Sequence, residues 1–199
     1  MTRLLVASRN RKKLAELRRV LDAAALSSLT LVSLDEVPPF DEAPETGATF
    51  EDNALAKARD GFAATGLPTV ADDSGLEVTA LNGMPGVLSA RWSGVHGDDV
   101  GNTALLLAQL REVPVGRRGA AFVSACALVS ESGEVVVRGE WPGSIAREPL
   151  GDGGFGYDPV FIPDGFDRTA AQLNPAEKDA VSHRGRALAL LLPALCELA

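Results

Sequence analysis

Two adjacent acids, Asp72 and Asp73, are the residues whose type and position point most directly to chemistry. They follow a short apolar run, and Ser74 and Gly75 come directly after them. The pattern favours a buried strand that stops at a sheet edge, followed by a Ser-Gly turn. Ligands of open α/β sheets bind beyond such strand ends. Since side chains alternate along a strand, we expect one acid to be chemical and the other structural.

The same four residues are also ordinary turn composition. Asp and Ser side chains bond to nearby backbone, and glycine tolerates positive φ. A chemical role for the acids therefore depends on partners that other elements bring to them.

A candidate phosphate site lies near the N-terminus. Residues 3–7 predict a strand, and residues 10 to about 24 predict a helix with apolar residues at 3- and 4-residue spacings. The joining Ser8-Arg9-Asn10 would lie at the helix N-terminus, where unpaired N–H groups and the helix dipole favour an anion. Lys13, one turn into the helix, could add a positive charge. Alternatively, Ser8 or Asn10 only caps the helix, and the lysines and arginines form a solvated basic face.

The next elements supply further charged candidates. An acidic loop carries Glu42 and Glu45, and a helix is predicted from Thr49 to Gly66, with a capping-box acid in its first turn. Lys57 lies at the margin of the apolar face of that helix, where a lysine usually extends to solvent. The sequence alone leaves open whether Lys57 extends to solvent or contacts a phosphate.

The second half of the chain contains a loop rich in glycine. Residues 151–159 place four glycines around Phe155 and Tyr157, which permits close backbone approach to a ligand, although a flexible surface loop is the alternative. Strand-like residues 120–129 and 135–140 predict an antiparallel hairpin, so the sheet is mixed. Further predicted elements are strands over 29–34 and 160–162, a helix over about 99–111, and a leucine-rich C-terminal helix.

Length and charge limit the class of protein. The 199 residues suit one large domain or two closely joined lobes, and we expect a single domain over 1–199. The net charge of −8 argues against a nucleic-acid groove. No apolar run approaches the roughly 20 residues that span a bilayer. With no signal-peptide pattern, we expect a cytoplasmic protein without membrane partners. Cys126 and Cys196 match no metal or redox spacing and are expected to be reduced core thiols.

Six motifs in this order resemble the inosine triphosphate pyrophosphatase family, which hydrolyses non-standard purine nucleoside triphosphates such as ITP, dITP and XTP. They span almost the whole chain. The matching stretches are Ser8-Arg9-Asn10-Arg11-Lys12-Lys13; Glu45-Thr46-Gly47 with Thr49-Phe50-Glu51-Asp52-Asn53-Ala54 and Lys57-Ala58; Ala71-Asp72-Asp73-Ser74-Gly75-Leu76; Pro85-Gly86 with Ser89-Ala90-Arg91; Gly153-Gly154-Phe155-Gly156-Tyr157-Asp158-Pro159; and Lys178 with Ser182-His183-Arg184-Gly185.

The resemblance implies an α/β fold with a mixed, twisted sheet flanked by helices, in two lobes with the active-site cleft between them. It implies release of pyrophosphate and a nucleoside monophosphate, a homodimer, and Mg²⁺ held by Glu45 and Asp73, with Asp73 also the base. The substrate-binding residues that it implies are Ser8, Arg9, Asn10, Lys13, Lys57, Ser74, Phe155, Gly156, Tyr157, Asp158, Lys178, His183 and Arg184.

Two questions stay open on the sequence. The family often has glycine where this chain has Arg9, so Arg9 either disturbs the phosphate loop or adds a phosphate contact. A metal-dependent phosphatase releasing orthophosphate, and a purine nucleotide-binding module without catalysis, are the alternative functions.

Overall fold

The computed structural model describes residues 1–41, 44–174, 177–178 and 181–199, with the backbone alone for Arg11 and Lys12. Glu42 lies outside the described residues. The strands in the described part are β1 (Thr2–Val6), β2 (Leu29–Ser33), β3 (Thr69–Val78), β4 (Gly119–Ser130), β5 (Gly133–Ile145) and β6 (Phe161–Pro163). The α-helices described there are α1 (Arg11–Ala23), α2 (Phe50–Thr65), α3 (Asp99–Gln109) and α4 (His183–Leu198).

The strands form one six-stranded sheet in the order β2-β1-β3-β4-β5-β6. β1 runs parallel to β2 and to β3, whereas β5 and β6 are antiparallel. Only two residues separate β4 from β5, which requires an antiparallel connection. The predicted mixed sheet with flanking helices is therefore confirmed.

The described residues group into two compact units. The first comprises Met1–Asp73, Ser124–Gly139 and Arg184–Ala199, and the second comprises Ser74–Val123 and Glu140–His183. The first unit buries apolar residues of β1, α1 and α4, including Leu4, Leu17 and Leu191. The core of the second unit contains Leu76, Leu106, Phe122, Trp141 and Phe161. A single domain over the whole chain and a cleft between two lobes stay predictions.

The predicted break at Ser74-Gly75 is wrong, because β3 continues through both residues to Val78. Gly75 serves close packing instead of a turn. A Cβ atom on Gly75 would lie only 2.8 Å from the carbonyl oxygen of Gly86 and from the Cβ of Ser89. The Ser89 hydroxyl accepts a hydrogen bond from the Leu76 amide at 2.8 Å, so the strand bonds to a segment that glycine allows to approach.

Local signals set the ends of α2 as predicted. The Thr49 side chain accepts from the Asp52 amide, the Asp52 carboxylate accepts from the Thr49 amide, and Gly66 ends the helix at φ 67°. With α2 fixed in this register, Asn53 and Lys57 lie four residues apart on the same side of the helix.

Two expectations from composition have different outcomes. Cys126 is buried as predicted, but Cys196 is exposed, so the core assignment of Cys196 is wrong. The C-terminal helix turns this residue to solvent while Leu191 and Leu195 pack inward. Among the described residues, no helix is long and apolar enough to cross a membrane.

Arg118 joins three segments of the second unit. Its side chain is 2% exposed, and its guanidinium donates to the carbonyl oxygens of Leu110, Ile145 and Ala146 at 2.6–2.8 Å. The end of α3 and the end of β5 are thereby held to the start of β4. Burial and the positive charge of Arg147 lower the pKa of Arg118.

We predict that Arg118→Met lowers the free energy of unfolding by about 3 kcal/mol, because it leaves three buried carbonyl oxygens without their charged donor. Urea unfolding measures this loss. Exposed Arg117 offers the matched control, and Arg117→Met should change the free energy of unfolding by less than about 0.5 kcal/mol. Equal losses in both variants would contradict this role of Arg118.

Candidate active site

The two acids of β3 contact different partners, as strand alternation predicts. Asp72 lies 2.9 Å from Lys13 Nζ and 3.3 Å from Arg184 Nε. Asp73 accepts from Asn53 Nδ2 at 2.9 Å and lies 3.7 Å from Lys57 Nζ. Both acids are at least nine-tenths buried, so these partners replace water in stabilising each carboxylate.

Lys57 ties the acids of the first unit together. Its ammonium donates to Glu45 Oε1 at 2.9 Å and to the backbone carbonyl of Asp72 at 2.8 Å, and it lies 3.7 Å from Asp73 Oδ1. Its side chain is only 15% exposed, so Lys57 does not extend to solvent. We call Glu45, Asn53, Lys57 and Asp73 the acid–lysine cluster.

Asn53 is a member of this cluster that sequence reasoning missed. Its Nδ2 donates to Asp73, and its Oδ1 accepts from the Gly47 amide at 2.8 Å. The available signal was the four-residue spacing from Lys57, which places both side chains on one face of α2.

Burial raises the pKa of Asp73. The charge of Lys57 and the hydrogen bond from Asn53 act in the opposite direction, and the negative charge of Glu45 adds to the rise. A carboxylate with a raised pKa in a polar cluster has the character of a functional group.

The donor set of the cluster fits a hard divalent cation. Asp73 and Glu45 supply carboxylate oxygens, and Mg²⁺ typically takes one or two carboxylates, with substrate phosphates and water completing its shell. Within the described residues, no group of three or more His, Cys, Asp or Glu side chains could hold a metal ion by itself. The two carboxylates thus fit a metal shared with a substrate better than a structural metal site.

A second network surrounds Asp72. Lys13 from α1 and Arg184 from α4 contact this carboxylate, and Arg184 Nη1 also donates to Glu16 at 2.7 Å. We call these four residues the Asp72 network. Burial alone would raise the pKa of Asp72, but the charges of Lys13 and Arg184 outweigh it and lower that pKa. The network pins two helices to β3.

The first predicted phosphate loop has the geometry of a helix start. Ser8 Oγ accepts from the Asn10 amide at 3.2 Å, and the Asn10 carbonyl accepts from the Leu14 amide at 3.3 Å. Arg9 and Asn10 are exposed. These contacts are compatible with both the capping role and the phosphate role.

A second group of predicted residues meets in the second unit. The Phe155 amide donates to Asp158 Oδ2 at 2.8 Å, and the Lys178 ammonium bonds to the same oxygen. Lys178 Nζ also lies 5.2 Å from the centre of the Phe155 ring. Phe155 is 42% exposed although Asp158 is buried, so the loop presents an aromatic residue next to a fixed carboxylate.

The other predicted residues of the second unit have partners that the sequence did not reveal. The Gly156 amide donates to Asp99 at 2.7 Å, and the buried Tyr157 hydroxyl donates to the Ser89 carbonyl at 2.9 Å. His183 is buried and stacks on Phe122 with ring centres 5.0 Å apart.

Ser74, next to Asp73 on β3, is half-buried. Arg184, also predicted as a substrate contact, lies in the Asp72 network of the first unit.

A sequence model of the Ham1 family matches residues 4–194. The chain belongs to the Ham1 family. The dITP/XTP pyrophosphatase of Mycobacterium bovis is 82% identical over all of this chain and 98% of its own length. The dITP/XTP pyrophosphatase of Nocardia farcinica is 76% identical over all of this chain and 97% of its own length.

Solved Ham1-family structures share the fold. The nucleoside-triphosphatase / dITP/XTP pyrophosphatase of Mycobacterium abscessus superposes with a TM-score of 0.83 at 70% identity, over 98% of this chain and all of that one. The Ham1 protein of Staphylococcus aureus gives a TM-score of 0.89 at 36% identity, with both chains fully covered. The family resemblance of the six motifs is therefore confirmed.

We predict that Asp72→Asn in this Ham1-family chain lowers the free energy of unfolding by about 3 kcal/mol at neutral pH, because Lys13 and Arg184 lose their shared carboxylate. The pKa of Asp72 is lowered in the folded state, so its stabilisation is complete above the unfolded value of about 3.9 and declines below it. Urea unfolding at about pH 7, 5 and 3.5 should show the wild-type advantage shrinking only at the lowest pH.

Asp22 on α1 is exposed and serves as the control for removing one negative charge. Asp22→Asn should change the free energy of unfolding by less than about 0.5 kcal/mol. A difference between wild type and Asp72→Asn that stays constant down to the lowest pH would refute the ion-pair account.

Proposed function

We propose that this chain hydrolyses non-standard purine nucleoside triphosphates, namely ITP, dITP and XTP, to the nucleoside monophosphate and pyrophosphate. The observation that carries the proposal is the acid–lysine cluster, with Asp73 and Glu45 joined through Lys57, in a chain 82% identical to a dITP/XTP pyrophosphatase. Such hydrolysis removes these nucleotides from the pool before they enter DNA or RNA.

Charge supports a metal at the acid–lysine cluster. A triphosphate brings about four negative charges, which would be repelled strongly by two carboxylates in a poorly solvated site. We assign Asp73 and Glu45 as the carboxylates that would hold Mg²⁺, the cation that their oxygen donors suit. When bound, this ion would neutralise the phosphate oxygens and the negative charge that develops on the leaving group.

The protein's own residues provide the remaining steps at the phosphate end. Asp73 orients the attacking water and accepts its proton, a role that the raised pKa of its carboxyl favours. Lys57, already in contact with both acids, offers positive charge beside the leaving group. Ser8, Arg9, Asn10 and Lys13 stay proposed phosphate contacts, supported by the helix start that they form.

The base end is assigned to the cluster around Phe155. The exposed phenyl ring of Phe155 stacks on the purine. Asp158 and Lys178 hold Phe155 in place and offer polar atoms at the edge of the purine. Gly156, Tyr157, His183 and Ser74 stay proposed substrate contacts. Arg184 stays a proposed substrate contact as well, in addition to its ion pair with Asp72.

The base site must distinguish purines by the groups that they carry at positions 6 and 2. Hypoxanthine, xanthine and guanine all present an acceptor at O6, where adenine presents an amino group, so donors there reject ATP. At position 2, guanine carries an amino donor, xanthine an oxygen and hypoxanthine only hydrogen. A protein donor facing position 2, from Lys178 or from nearby backbone, therefore tolerates xanthine and hypoxanthine and opposes GTP.

Several broader properties accompany the proposal. Homodimeric assembly, a single domain over residues 1–199 and a cytoplasmic location are proposed on the strength of the family resemblance. The partners are small purine nucleotides.

Product analysis tests the proposed function. The purified protein with Mg²⁺ and dITP should release pyrophosphate and deoxyinosine monophosphate. Orthophosphate as the first product would favour the phosphatase alternative, and tight binding without any product would favour the nucleotide-binding module.

We predict that Asp73→Asn lowers the rate of pyrophosphate release by about 100-fold or more while the protein remains folded, because the base and a metal ligand are lost together. Steady-state kinetics and circular dichroism measure the two properties. If Asp72→Asn caused that loss of rate and Asp73→Asn did not, the assignment of the two acids would be reversed.

We also predict that XTP is turned over at least about 10-fold faster than GTP, and that Lys178→Met narrows this ratio, because Lys178 is the proposed donor towards position 2. Relative kcat/KM values measure the preference. Arg168→Met is the control, since Arg168 is a neighbouring cation that contacts Glu177. Equal turnover of XTP and GTP by the wild type would eliminate the position-2 donor.

A further inference from the structure

Asn53 connects Asp73 to the loop that carries Glu45 through a single buried amide. Asn53 is 2% exposed and is the fourth residue of α2. Its Nδ2 donates to Asp73 Oδ2 at 2.9 Å, and its Oδ1 accepts from the Gly47 amide at 2.8 Å. Both polar ends of the amide are therefore used, one on β3 and one on the loop that carries Glu45.

The loop approaches α2 closely at Gly47. A Cβ atom at this position would lie 2.7 Å from Asn53 Oδ1 and 2.7 Å from the Cβ of Asp52. Any residue other than glycine would therefore displace the loop or these neighbours. Glu45, two residues earlier, bonds to Lys57 one turn further along the same helix. Asn53 and Lys57 thus hold the Glu45 loop at two points of α2.

We propose that Asn53 is a positioning residue that fixes the orientation of the Asp73 carboxylate and the place of the Glu45 loop in one arrangement. The inference rests on the proposed function, in which these two acids hold the metal. An amide suits this task because it presents one donor and one acceptor, whereas aspartate presents two acceptors. Partners that orient metal ligands commonly affect metal affinity and rate together.

The competing interpretation is that Asn53 only stabilises the fold. Asn102 provides a matched control, because it is also 2% exposed and also lies within a helix, α3. Its Oδ1 accepts from the Ser93 amide at 2.7 Å and its Nδ2 donates to the Ala90 carbonyl at 3.3 Å. Asn102→Ala therefore removes a similar pair of bonds without touching the acid–lysine cluster.

Three variants separate the two interpretations. Asn53→Asp keeps an acceptor for the Gly47 amide but loses the donor to Asp73, Asn53→Ala loses both, and Asn102→Ala reports the cost of losing a buried amide elsewhere. Each is compared with wild type for kcat of pyrophosphate release from dITP and for the Mg²⁺ concentration that gives half the maximal rate. Amide hydrogen exchange at Gly47 and the midpoint of thermal unfolding are measured without Mg²⁺ or nucleotide.

We expect both Asn53 variants to lose about 10- to 100-fold in kcat and to require more Mg²⁺. Exchange at Gly47 should rise about 10-fold or more in Asn53→Ala but stay near the wild-type rate in Asn53→Asp. Asn102→Ala should have a lower thermal midpoint with unchanged Mg²⁺ requirement and unchanged exchange at Gly47.

The inference is overturned if Asn53→Asp keeps kcat and Mg²⁺ requirement within about two-fold of wild type, or if exchange at Gly47 does not respond to Asn53→Ala. Failure of the proposed function is a separate outcome. A wild type that releases no pyrophosphate would refute that function, and the exchange at Gly47 would still decide whether Asn53 holds the loop.

Discussion

The alternation of side chains along β3 is the constraint on which both networks of the first unit depend. Consecutive residues of a strand point to opposite faces, so Asp72 and Asp73 meet different surroundings although they are neighbours in sequence. Asp72 meets two cations from α1 and α4, and Asp73 meets an amide and a lysine from α2. One strand thereby gives two neighbouring carboxylates different partners, and only Asp73 takes part in the proposed chemistry.

Local compensation reduces the repulsion between the buried carboxylates of this acidic chain and a polyanion. The protein carries a net charge of −8, yet Lys57 contacts both carboxylates of the acid–lysine cluster, and Lys13 and Arg184 compensate Asp72. Burial makes each of these contacts count more than it would at the surface. The balance differs between the two acids. The cations outweigh burial at Asp72 and lower its pKa, whereas burial outweighs Lys57 at Asp73 and raises its pKa.

Features coded locally were predictable from the sequence, and features coded by distant residues were not. The capping box of Thr49 and the buried leucines of α1 follow from short-range patterns. Gly75 has the local signature of a turn, but its role is set by Ser89, fourteen residues later. Asn53 gives no signal beyond its spacing from Lys57, since its partners lie on a strand and a loop. Roles assigned by resemblance, including that of Arg184, stay predictions.

The division of labour between the two acids is tested most directly by a crystal structure with Mg²⁺ and a non-hydrolysable dITP analogue. The account predicts the metal within about 2.1 Å of oxygens from Asp73 and Glu45, with Asp72 still paired to Arg184. A metal bound to Asp72, or phosphates bound away from Asp73, would contradict it.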